Sequence, residues 1–167
     1  MTNQYKNGEE YYNKTYLQFN FFIAVSLVPF GYLLLLKQSG QLISLVSGDW
    51  YLVVVFTLLL ASAAIIFQTS KHFNSYLGID KNTFSLRKKL DQYKSESLKK
   101  YLAFLLASLV CVCGLYLTAS AFFIVGYIVS IILLSIKRPT LNTIIEDLKL
   151  SEEEQNILIE KKDIPFN

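Results

Sequence analysis

The sequence predicts an all-α, polytopic integral membrane protein with four transmembrane helices in two hairpins. Two observations support this prediction. Of the 167 residues, 53% are hydrophobic, and most of these gather in four stretches that contain no Asp, Glu, Lys or Arg. A helix needs about 20 apolar residues to cross a bilayer core. The four predicted spans are residues 17–36, 50–68, 101–117 and 121–136.

The second observation is the distribution of basic residues around these spans. With four spans, fifteen of the sixteen Lys and Arg residues fall on one side of the membrane. Lys37, at the edge of the first span, is the exception. Basic residues accumulate on the cytoplasmic side of membrane proteins. Both termini are therefore predicted to be cytoplasmic, with the whole chain forming one membrane domain.

The individual spans differ in length and in their landmarks. The first contains Pro29, which removes one helical hydrogen bond and is expected to kink the helix. The second opens with Trp50 and Tyr51, a pair typical of the membrane interface. The last two spans are short, about 24 Å each as helices. The three residues 118–120 between them predict a tight hairpin, with a re-entrant hairpin as the alternative.

The segment between the second and third spans is basic. An irregular loop is expected from His72 to Asn82, followed by a basic helix over 83–100 that is capped by Asn82 or Thr83 and continues into the third span. Its basic face is a candidate docking surface for anionic lipid head groups or for the chain's own tail. The residues of that surface are Arg87, Lys88, Lys89, Lys94, Lys99 and Lys100.

The tail, residues 137–167, has the opposite balance, with seven acidic and five basic residues. Apolar residues recur at helical spacing from Leu141 to Leu148. Ser151 and Glu154 have the spacing of a capping box, which predicts a second short helix ending near Lys162. Charge complementarity suggests that this acidic tail docks on the basic helix.

The spans lack the residues on which most membrane chemistry depends. Proton relays and ion paths use ionisable residues inside the membrane, and the four stretches have no charged residue. The lone histidine, His72, and the two span thiols, Cys111 and Cys113, form no metal or disulfide pattern. We therefore predict no enzymatic activity, no cofactor, no metal and no nucleic-acid partner.

Small residues predict where the spans pack. They recur every fourth residue on the third span and again on the fourth, a pattern that lets membrane helices approach closely. These ridges are expected to join the two spans to each other or to join the protein to another subunit. The candidate interface residues are Ala103, Ala107, Cys111, Gly126 and Ser130.

Several segments resemble a family of small uncharacterised four-span membrane proteins of Bacteroidota-type bacteria. The similar segments are 86–90 with Tyr93, the hairpin residues 116–118, and the tail residues 137–140 and 144–154, so the resemblance covers about 84–155. It implies a four-span topology in a bacterial inner membrane, and no particular activity.

These observations favour a non-enzymatic protein that acts by protein–protein interaction, as an accessory subunit or an immunity-type protein. Its expected partners are the lipid bilayer, anionic lipid at the basic helix, and another membrane protein or further copies of itself. A homo-oligomeric channel or membrane-disrupting effector is the first alternative. A small facilitator of an uncharged solute is the second.

Overall fold

The computed structural model describes residues 5–79, 84–136 and 138–165. Those residues form six α-helices and no β-strand; their one β-bridge pairs Asn7 with Asp163 in antiparallel fashion. The helices are α1 (Gly8–Gln38), α2 (Trp50–Leu77), α3 (Leu86–Thr118), α4 (Ala121–Ile136), α5 (Leu141–Leu148) and α6 (Glu152–Ile159).

The apolar helices suggest a membrane protein. Among the described residues, α1, α2 and α3 are each long and apolar enough to cross a bilayer. The 16-residue α4 reaches that length only together with α5, from which it is bent by 74°, so by length and composition three of the described helices could span a membrane, or up to four spans if that bent pair is counted as one. Large apolar side chains face outward, as at Val28 and Trp50, which are 73% and 72% exposed. Such a surface is typical of lipid contact.

Helix α3 is the centre of the bundle, because α1, α2 and α4 all pack against it. Half of its most apolar stretch is buried, against 22% for that of α1 and 11% for that of α2. The outer helices also touch one another in places. The rings of Phe30 in α1 and Tyr127 in α4 stack with their centroids 3.7 Å apart.

Helices α1, α2 and α3 extend beyond the predicted spans, whereas α4 coincides with the fourth one. Helix α1 begins at Gly8, where the Asn7 side chain accepts a hydrogen bond from the Glu10 amide at 3.0 Å. The irregular loop predicted from His72 is wrong as far as Leu77, since α2 continues to that residue. Hydropathy marks the apolar part of a helix, but polar residues can continue the same helix.

The predicted basic helix is the first half of α3. It begins at Leu86 after Ser85; the expected caps, Asn82 and Thr83, lie outside the described residues, as do Asp80, Lys81 and Lys137. The tail forms two short helices as predicted, and α6 opens with the predicted capping box, in which Ser151 and Glu154 exchange both hydrogen bonds. This helix ends at Ile159, about one turn before Lys162.

At one end of the bundle, the polar segments build a compact cluster that we call the cap. It combines the chain's N-terminal segment, the end of α2, the start of α3, helices α5 and α6, and the C-terminal segment. These segments bury eleven apolar and aromatic side chains together. They are Tyr5, Tyr11, Phe73, Leu86, Leu90, Tyr93, Ile144, Leu148, Leu150, Leu158 and Ile164.

One glycine permits the closest approach in the cap. A Cβ atom at Gly8 would lie 2.6 Å from the carbonyl oxygen of Leu158. The absence of a side chain therefore allows α6 to lie directly on the start of α1.

At the opposite end of the bundle, the connection between α1 and α2 folds over the turn between α3 and α4. The amides of Leu45 and Val46 both donate to the carbonyl of Leu117, at 2.9 Å and 3.2 Å. Lys37 donates to the carbonyl of Ala119, which adopts a left-handed conformation with φ of 49°. A cation is favourable at this carboxyl end of α3 because of the helix dipole.

Candidate functional site

The small residues predicted on the third span lie where α2 crosses α3. Ala107 and Cys111 are fully buried, and Ala103 is partly buried. The Ser62 hydroxyl of α2 donates to the Ala107 carbonyl at 3.1 Å and lies 3.4 Å from the Cys111 sulfur. Small side chains on α3 thus let a hydroxyl of α2 reach the α3 backbone.

Gly126, on the fourth span, faces the same region. A Cβ atom added there would lie 3.1 Å from a Leu59 methyl carbon and 3.5 Å from the Cys111 sulfur. One turn further along α4, the Ser130 hydroxyl donates to the Gly126 carbonyl at 2.8 Å. The ridge of α4 is therefore turned towards both α2 and α3.

An open groove runs between α2 and α4 and has a volume of about 620 Å³. Three of the five predicted packing residues, Cys111, Gly126 and Ser130, line it. Large apolar side chains from both helices complete its lining, among them Leu59, Ile66, Phe67, Val129 and Leu133. Of the three packing residues, Gly126 is partly exposed, whereas Cys111 and Ser130 are buried, so the open surface of the groove is mainly apolar.

Three further hydroxyls of the bundle helices bond to backbone carbonyls. Ser26 donates to Ile23 at 2.9 Å, Ser108 to Phe104 at 2.8 Å, and Thr118 to Gly114 at 2.7 Å. Each of these hydroxyls therefore has a hydrogen-bond acceptor within its own helix.

Gly114 is a packing residue that the small-residue pattern did not include. A Cβ atom at Gly114 would lie 2.2 Å from a ring carbon of Phe123, closer than any real contact. Gly114 follows Cys111 by three residues and so continues the ridge of α3. Extending the small-residue pattern by one turn is the signal that identifies it.

Among the described residues, Lys89 and Arg87 of the predicted docking surface contact the tail. The Lys89 ammonium pairs with the Glu154 carboxylate, and both side chains are mostly buried. Arg87 contacts both ends of the chain, since Nη2 donates to the carbonyls of Tyr5 and Ile164, at 3.2 Å and 3.1 Å. Its Nε donates to the carbonyl of Pro165 at 3.2 Å.

The other four basic residues have different environments. Lys94 and Lys100 are buried, like Lys89, and the Lys100 ammonium lies 4.6 Å from the centre of the Phe73 ring. Burial leaves little of these three side chains on the outer surface of the basic helix. Lys88 is exposed with its ammonium 4.1 Å above the Phe84 ring. Lys99 is exposed and pairs with Glu96 at 2.6 Å.

Two tyrosines join the cap through carboxylates. The Tyr5 hydroxyl donates to Asp91 and the Tyr93 hydroxyl donates to Asp147, each at 2.9 Å. Burial first, and then the adjacent carboxylate, raises the pKa of both phenols. They therefore remain protonated donors across the physiological range, and they link α3 to the N-terminal segment and to α5.

Within the described residues, no group of three or more His, Cys, Asp and Glu side chains is arranged to hold a metal ion. No protein-family model matches this sequence, and no curated protein or solved structure is significantly similar to it.

Proposed function

We propose that this protein is a non-enzymatic, four-span inner-membrane protein that binds a transmembrane helix of another protein, as an accessory subunit or an immunity-type protein. The groove between α2 and α4 carries the proposal. It is an open apolar surface between two helices, with Gly126 partly exposed on it, and small residues let membrane helices approach closely. The fifteen-to-one charge distribution supports cytoplasmic termini, and the resemblance over 84–155 supports a bacterial origin.

The groove suits a helix because its contacts are steric and apolar. The Ser62 and Ser130 hydroxyls on its lining already bond to the Ala107 and Gly126 carbonyls, so an occupant needs no polar group there. The lining runs along α2 from Leu59 to Ser70, about 16 Å or three helical turns. Packing over that length against a mainly apolar surface relies on dispersion contacts, which drive helix association in lipid.

A site-specific cross-linker tests the groove in native cells. A photoreactive residue replacing Phe67, on the groove, should give a covalent adduct with a different membrane protein. The same residue replacing Val28, which is exposed on α1, is the matched control and should give none. Gly126→Leu should reduce the Phe67 adduct, because its side chain would occupy the groove.

Other cross-linking results would support an alternative function or overturn the proposal. An adduct at twice the mass of the chain would replace the proposal with the homo-oligomeric channel or effector. Adducts with lipid alone, or equal adducts from both positions, would overturn the interaction proposal. The facilitator has less support, since Ser26, Ser108 and Thr118 all bond to backbone carbonyls of their own helices.

Reporter fusions test the topology separately. With both termini cytoplasmic, alkaline phosphatase fused after the C-terminus should be inactive, and a fluorescent protein fused there should be bright. Phosphatase fused after residue 45, between the first two spans, should be active. An active C-terminal phosphatase would contradict the four-span arrangement.

A further inference from the structure

A second cleft lies where the predicted spans meet the cap. It has a volume of about 380 Å³, and α2 and α3 form its two sides. Six of its seven described lining residues are polar or charged, in contrast to the apolar groove between α2 and α4. They are Gln68, Thr69, His72, Glu96, Lys99 and Lys100, with Phe73 among them.

Glu96 organises the charges of this cleft. Its Oε1 accepts a hydrogen bond from the Lys99 ammonium at 2.6 Å. Its Oε2 is buried, has no hydrogen-bond partner among the described residues, and lies 3.6 Å from Nδ1 of His72. The carboxylate is 16% exposed, whereas the side chains of Lys99 and His72 are 62% and 70% exposed. The negative charge is therefore deep and the donors lie at the mouth.

The lining has more cationic groups than anionic ones. Among the described residues that line the cleft, Glu96 is the single carboxylate, and Lys99 already pairs with it. Lys100 adds a second ammonium, buried beside the Phe73 ring. The Thr69 hydroxyl and the Gln68 amide add further hydrogen-bond donors. Together these groups could bind one ligand that has several acceptor atoms. Such a set is suited to an anion with several oxygen atoms.

The cleft also has a defined depth in the proposed topology. Gln68 ends the second predicted span, and Lys100 precedes the first residue of the third. The cleft consequently opens at the boundary between the hydrocarbon core and the head groups, on the side with most of the basic residues. Lipid phosphates are the anions concentrated at that level.

We propose that this cleft binds the phosphate group of an anionic membrane lipid. Lys99 supplies the accessible charge, and Thr69, Gln68 and His72 supply neighbouring donors. Glu96 holds Lys99 at the mouth. The inference rests on the topology proposed above, and it confines lipid recognition to one site instead of the whole basic helix, where Arg87 and Lys89 contact the tail.

Binding can be measured on the delipidated full-length protein in neutral detergent, by native mass spectrometry with phosphatidylglycerol and phosphatidylcholine as probes. Phosphatidylglycerol should bind more tightly. Lys99→Gln should weaken it about fivefold, the effect expected for one basic residue near an anionic lipid, and Lys99→Arg should largely restore it. Lys88→Gln removes an exposed lysine outside the cleft and should have no effect. Thr69→Val should weaken binding further in the Lys99→Gln background.

Three results would overturn the site. Equal losses in Lys99→Gln and Lys88→Gln would indicate diffuse attraction to the helix. Equal binding of the two lipids would exclude recognition of an anionic lipid. Competition by millimolar inorganic phosphate would identify a soluble phosphate as the ligand. Lipid binding measured in detergent does not depend on the orientation of the protein in a membrane. The fusion and cross-linking results do not depend on Lys99. A failure of this site can therefore be distinguished from a failure of the proposed function.

Discussion

The Lys89 ammonium lies 2.7 Å and 2.8 Å from the two carboxylate oxygens of Glu154. The same carboxylate accepts the Ser151 amide at 3.0 Å and so completes the capping box of α6. One side chain therefore starts the last helix and attaches it to α3. Because the pair is mostly buried, its loss has a larger effect than the loss of a surface ion pair.

Glu154→Gln should release α6 from α3. The substitution leaves the buried Lys89 without its counter-charge, at a cost of about 1–3 kcal/mol. Limited trypsin digestion should then cleave faster at Lys161 and Lys162, as followed by mass spectrometry. Lys89→Met combined with Glu154→Gln should lose less than the sum of the two single changes, since neither partner then remains uncompensated.

The matched control is Glu153→Gln, which removes the same charge from an exposed neighbour in the first turn of α6. It should leave the cleavage rate nearly unchanged. Equal acceleration by both variants would show that general acidity, and not the Lys89–Glu154 pair, attaches the tail.

This pair also shows how far the sequence could predict the structure. Opposite charges on 83–100 and 137–167 suggested docking, and the spacing of Ser151 and Glu154 predicted the capping box. Neither indicated that Lys89 would be the partner, because which lysine faces the tail depends on how α5 and α6 fold back. Apolar stretches predicted the long apolar helices because hydropathy is a local property of the sequence. The cap core instead depends on contacts between distant segments, which periodicity does not contain.

Arg87→Lys should open the contact between the two ends of the chain. Arg87 reaches three carbonyls, those of Tyr5, Ile164 and Pro165, with a planar group that lysine lacks. We expect the Ile164 amide, which donates to Lys6 at 2.9 Å, to exchange with deuterium about tenfold faster. That change corresponds to a loss of about 1.5 kcal/mol.

Lys88→Arg is the control for that experiment, because it makes a conservative change at the adjacent exposed position. It should not alter exchange at Ile164. Unchanged exchange in Arg87→Lys would mean that the β-bridge between Asn7 and Asp163 holds the ends together without the guanidinium.

Gly114→Ala should destabilise the packing of α3 against α4. The new methyl group would lie 2.2 Å from the Phe123 ring, so one of the helices must move. Overpacking of this kind costs about 1–3 kcal/mol, and the unfolding temperature in detergent, followed by circular dichroism, should fall. Phe123→Leu should recover part of the loss when combined with Gly114→Ala.

Gly31→Ala provides the comparison, since a Cβ atom there has no neighbour within 4 Å. Alanine favours the helix over glycine, so this variant should be unchanged or slightly more stable. A similar destabilisation from both substitutions would contradict a specific contact between Gly114 and Phe123.

Lys94→Met should stabilise the protein at neutral pH. Burial, and then repulsion from Lys14, lowers the pKa of the Lys94 ammonium from its ordinary value of 10.5. The folded state therefore disfavours the charged form, and methionine retains the apolar stem without the charge. We expect the free energy of unfolding to rise by about 0.5 kcal/mol. The gain is small because solvent screens part of the cost of the charged ammonium in the folded state.

The pH dependence of this gain distinguishes charge burial from better packing. A lysine with a lowered folded pKa penalises folding below that pKa, and the penalty disappears as the pH rises to the unfolded value. The advantage of Lys94→Met in urea unfolding should therefore be largest near pH 7 and shrink as the pH approaches 10.5. Lys88→Met, at an exposed position, should show little gain at either pH. A Lys94→Met advantage that persists at high pH would assign the effect to packing of the methionine side chain.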